Sequence, residues 1–132
     1  MLFRSGVSRT VTGLVFMILD LHLRLPELRK ELIWSNGNKY HFIFKFSDDG
    51  APETKELGMS IGLLTCWNFG SRVRSQDFHC LSVSEKDSVM EDLWRQHTEE
   101  MKMMEDNLPT VCGQQCTTKF QPSAAQSAKL GQ

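Results

Sequence analysis

A chain of 132 residues with 40% hydrophobic and 23% charged residues has the composition of one folded domain with a modest core, which excludes a disordered, highly charged chain. Its formal net charge of -1 excludes a molecule that binds polyanions over its whole surface. The charge is uneven, with seven Lys/Arg against three Asp/Glu up to Ser47 and eight against thirteen from Asp48 onward, so any basic surface offered to nucleic acid is built by the first third.

The N-terminal stretch MLFRSGVSRTVTG has two arginines, several hydroxyls and no acid before Asp20. That composition suits a mitochondrial presequence, and a targeting segment is one reading of residues 1–25. The other is a buried helix from Thr10 or Thr12 to about Arg24, with Leu14, Phe16, Met17, Leu21 and Leu25 as its inward stripe. The apolar run Val11–Leu19 is interrupted by Asp20, His22 and Arg24, which makes it too short and too charged to cross a bilayer; no membrane association is expected.

Pro26 stops the first helix and opens a second, PELRKELIW, expected to run to Trp34. Ser35-Asn36-Gly37-Asn38 reads as a tight turn, because Asn and Gly tolerate positive φ. Tyr40–Ser47 is a dense aromatic and β-branched run and predicts a strand. It stops at Asp48-Asp49-Gly50-Ala51-Pro52. Strand-like runs follow at residues 57–67 (LGMSIGLLTCW) and 77–84 (DFHCLSVS), separated by a loop at 68–76. The clearest helix covers 85–107, capped by Ser84 or Asp87, with Met90, Leu93, Trp94, His97, Met101 and Met104 on one face. A fourth strand is expected at 115–121, and the small, polar residues 123–132 form a fraying tail. The reading from residue 26 to 122 is thus an α+β domain in which a β-β-β-α-β unit follows the N-terminal helices.

Asp48 and Asp49 are the candidate catalytic and metal-binding residues. Mg²⁺ takes oxygen ligands in octahedral geometry and retains waters, and two such ions clamp the attacking and leaving oxygens of a phosphodiester displacement. A strand end fixes carboxylates for that task, although successive residues on a strand point to opposite faces and Asp-Asp-Gly is also an ordinary turn. Cys112 and Cys116, with His79 and Cys80, form a loose zinc-ligand set whose spacing is wider than the usual pair. None of the four cysteines lies in a recognisable nucleophile signature, and nothing else argues for secretion, so reduced thiols in a nuclear or cytoplasmic setting are expected, with the mitochondrion as the alternative. The Met and Trp face of the 85–107 helix is either core or an adaptable surface for a protein partner.

The segment FKFSDDGAPETKELGMSIGLLTCWNFG, with VMEDLWRQHTEEM after it, resembles transposon-derived proteins related to ribonuclease H-like, DDE-type transposases. The resemblance covers residues 25–123 and is sharpest over 45–51. It implies the first part of a ribonuclease H-like fold, Mg²⁺ as cofactor, DNA as partner, and Asp49, or its neighbour Asp48, as the first catalytic acid. The second acid of that family belongs at the end of the fourth strand, yet no Asp or Glu follows Asp106. The expectation is therefore a truncated domain that is incomplete for phosphoryl transfer, with self-association through exposed apolar surface.

Overall fold

The computed structural model describes residues 2–3, 6–47, 60–72, 79–84 and 87–122. In chain order the elements are β1 (Leu2–Phe3), β2 (Gly6–Ser8), α1 (Val11–Arg24), α2 (Pro26–Arg29), β3 (His41–Ser47), β4 (Ser60–Cys66), β5 (His79–Ser84), α3 (Asp87–Asp106), β6 (Thr110–Val111), β7 (Gln114–Gln115) and β8 (Thr117–Pro122). The fold is α+β. Six strands make one mixed sheet in the order β1-β2-β5-β4-β3-β8, and β6 and β7 form a separate hairpin. The strands β3, β4 and β5 are antiparallel neighbours, whereas β8 lies parallel to β3. A parallel neighbour needs a crossover, and α3 supplies it.

Strand alternation puts Phe42 and Phe44 of β3, with Leu64 and Cys66 of β4, on the face that the helices cover, and all four are fully buried. Met101 and Met104 of α3 and Val11, Leu14, Val15, Ile18, Leu19 and Leu23 of α1 join them in one cluster. The Thr10 hydroxyl caps α1 by accepting from the Gly13 N–H at 3.0 Å. The carboxylate of Glu100, on α3, accepts from the Val11 N–H at 2.6 Å. Two of the four N–H groups that a helix start leaves unpaired are thus met, one of them by the neighbouring helix.

Two expectations need correction. The inward face of α1 is not the stripe of Phe16, Met17, Leu21 and Leu25; these are 37%, 50%, 40% and 37% exposed, and only Leu14 of that set is buried. Both sides of α1 are apolar, so periodicity alone could not choose between them. Second, α2 ends at Arg29 rather than Trp34. Beyond it Leu32 is buried and the Ile33 N–H donates to the Asn68 carbonyl at 2.9 Å, so long-range pairing takes residues that local propensity would leave helical. Of the two readings of the α3 face, core or partner surface, Leu93, His97, Met101 and Met104 take the first, since all four are buried. α1 shares the core of the strands.

The expected turn is present as a 3₁₀ segment, Ser35–Gly37, with φ of 54° at Asn36 and 72° at Gly37. The segment after β4, expected as loop, is a 3₁₀ helix over Trp67–Arg72. The expected starts of the second and third strands, at residues 57 and 77, lie outside the described residues, and so does the 123–132 tail. The last strand is Thr117–Pro122 rather than 115–121 because residues 114–115 belong to the β6–β7 hairpin.

Candidate functional site at the ends of β3 and β8

The parallel register runs from His41 opposite Thr117 to Phe46 opposite Pro122, so β3 and β8 end at the same end of the sheet. Asp48 and Asp49 come next after β3, and residues 123–126 next after β8; all of these lie outside the described residues. At that end the described groups are Lys45, Phe46, Ser47, Gln121 and Pro122. None is a carboxylate, and among the described residues no group of three His, Cys, Asp or Glu is placed to hold a metal.

Each face of the pair has its own chemistry. On the helix side, Phe44 stacks on Phe120 with centroids 5.4 Å apart, and Phe46 meets Trp94 of α3 at 5.6 Å. On the other side, cross-strand partners are joined through their side chains. Lys45 Nζ donates to Gln121 Oε1 at 2.7 Å, and His41 Nδ1 lies 2.6 Å from the Thr117 hydroxyl. That side carries His41, Lys45 and Lys119 and, within β3 and β8, no Asp or Glu. These rungs hold the two strands in register where the site is to be built.

β8 ends the sheet, and its free edge is blunted. The Thr117 N–H donates inward to the Tyr40 carbonyl, so alternation turns the Phe120 N–H outward, where the Glu105 carboxylate accepts it at 2.8 Å. Pro122, next on the outward side, has no N–H. A side-chain cap and a proline are standard ways to keep an edge strand from pairing with another chain.

Asn68 was read from the sequence as a loop residue and is instead a buried hub. Its Oδ1 accepts from the Ile43 N–H at 2.9 Å, and its Nδ2 donates to the carbonyls of Ile33 at 2.8 Å and His41 at 3.0 Å. The amide therefore stitches the 30–34 segment and β3 to the end of β4. The only sequence signal was an amide-bearing residue directly after an apolar strand.

The remaining candidates lose their chemistry. Burial pushes the Cys66 thiol up to about 12. Cys116 is raised as well, by burial first and by Cys112 second. Cys112 is also raised, by desolvation and by its contact with Asp20. None of these three thiols is an activated nucleophile. His79 and Cys80 stand on β5, separated from β8 by β4 and β3. His97 is buried on α3 with both ring nitrogens, and Trp94 Nε1 beside it, lacking hydrogen-bond partners among the described residues. Desolvation holds His97 down to about 4, so the imidazole is neutral at ordinary pH and packs edge-on against Trp94 at 5.4 Å.

Comparison with protein-family models, with curated proteins and with solved structures finds no match to this chain. No helix among the described residues is long and apolar enough to cross a membrane.

Proposed function

We propose that the chain is a ribonuclease H-like unit related to DDE-type transposase domains, that it binds DNA, and that its acidic set is incomplete for phosphodiester transfer. One observation carries the reading. Carboxylates at the ends of the first and fourth strands of a β-β-β-α-β unit can act on the same phosphate only if those strands are neighbours pointing the same way. Here β3 and β8 are adjacent and parallel, with Phe46 opposite Pro122.

The donor set argues against present catalysis. Residues 107–132 contain no Asp or Glu, so the end of β8 offers no second acid to Asp48 or Asp49. The described groups at this end, a lysine, a serine, an amide and two apolar rings, do not fit a two-metal centre, which needs several carboxylate oxygens. DNA binding is supported by Lys45 and Lys119 on the side of the pair turned away from α3, with the His41 imidazole beside them, where cations with no carboxylate on β3 or β8 suit phosphates. A protein-interaction role for the Met and Trp face of α3 is not favoured, since Leu93, Met101 and Met104 are buried.

The test is fluorescence anisotropy with labelled DNA over a range of salt, with Mg²⁺ or Mn²⁺ added to look for cleavage. The expected result is non-specific binding, with a dissociation constant of roughly 10⁻⁵ M that weakens steadily with salt. It should be several-fold weaker in Lys119→Glu, and no cleavage should occur. Absence of binding at low salt, or binding indifferent to Lys119→Glu, contradicts the proposal.

A further inference from the structure

α1 presents apolar residues outward as well as inward. Phe16, Met17 and Leu21 stand exposed on its outer side, with Leu25 continuing the row past the last turn. The spacings 17, 21, 25 and 16, 20, 24 make two adjacent rows on one face of the helix. The only charges in those rows are Asp20 and Arg24, one turn apart and paired with each other at 3.2 Å. A surface helix ordinarily turns a charged face to water, and a helix apolar all round is ordinarily covered.

We propose that this face is an interface between two copies of the chain, with the α1 helices antiparallel about a two-fold axis. The charge pattern selects the occupant. A lipid surface or a nucleic acid calls for a run of cations, and the two rows carry one acid and one base, with Arg29 the further cation felt beside them at Cys112. A two-fold axis through the turn between Asp20 and Arg24 sets each Asp20 against the partner's Arg24 while the apolar rows meet, so the patch is complementary to itself. The existing Asp20–Arg24 pair is well exposed, with side chains 50% and 60% accessible; it uses Asp20 Oδ2, while Oδ1 accepts from the Cys112 thiol at 3.5 Å, and exchanging the pair for an intermolecular one costs little. One helix face is small beside the ~800 Å² per partner of a standard interface, so the dimer is weak, in the range of about 10–100 µM.

The experiment is sedimentation equilibrium on the full chain from about 5 to 500 µM, with reductant present to keep Cys112 from cross-linking and circular dichroism to show that each variant folds. Wild type should follow a monomer–dimer equilibrium, and Leu21→Glu should be monomeric throughout. Asp20→Arg and Arg24→Asp should each weaken dimerisation about tenfold, which is roughly 1.4 kcal/mol. A one-to-one mixture of these two variants should recover it as a heterodimer. A wild type that stays monomeric overturns the proposal, as does a mixture no better than its components. Leu21-dependent recruitment to phosphatidylcholine vesicles without dimerisation assigns the face to lipid instead and also overturns it.

Discussion

The buried amide of Asn68 satisfies one N–H and two carbonyls contributed by segments far apart in the chain. Replacing it by leucine leaves those three groups buried and unpaired. The expected loss is about 3 kcal/mol, read as a lower urea midpoint with unchanged slope. His97 sets a pH dependence. Its folded value of about 4 lies below the 6.5 of an ordinary imidazole, so between those limits the unfolded chain binds a proton that the folded chain refuses. Stability from this group is full above pH 6.5 and falls as pH drops towards 4, by about 3 kcal/mol in all. His97→Met should flatten the difference in urea midpoint between pH 7 and pH 4.5, and an equally steep loss in the variant would refute the assignment. Cys112 occupies the left-handed region at φ 52° beside Gly113 at 75°, a conformation that costs a residue with a Cβ. Cys112→Gly should raise the thermal midpoint without altering the sheet.

At the scale of elements, what was legible depended on whether the deciding interactions are local. The Asn36-Gly37 turn, the aromatic alternation of β3 and the apolar stripe of α3 are written in neighbouring residues, and the structure has each. The inward face of α1 was not legible, because Val11, Val15 and Ile18 make as good a stripe as Met17 and Leu21, and only the partners decide. Nor was the end of α2, which is set by Asn68 some 35 residues away. The β6–β7 hairpin was missed because a cysteine at positive φ is no turn signal, leaving Gly113 as its one cue. Edge protection of β8 was equally invisible, since Glu105 and Phe120 meet only after the crossover. Glu105→Ala should therefore speed hydrogen exchange at the Phe120 amide by about tenfold, the equivalent of roughly 1.4 kcal/mol, while leaving amides of β4 unchanged. Uniform acceleration would mean that the carboxylate supports the fold rather than the edge.

At the scale of the whole molecule, the mixed sheet brings two strand ends together, and the sequence furnishes acids at one of them only. Asp48 and Asp49, the acids the sequence offers for a site, lie outside the described residues, and no Asp or Glu follows Asp106. The adjacency of β3 and β8 was not legible in the sequence, because parallel pairing joins residues 76 apart and leaves no local trace. The most direct measurement is calorimetric titration of Mn²⁺ and Mg²⁺ into wild type and Asp49→Ala. An incomplete acidic set predicts weak, saturable binding on the order of 1 mM that Asp49→Ala removes. Binding in the micromolar range, or binding untouched by Asp49→Ala, would contradict it.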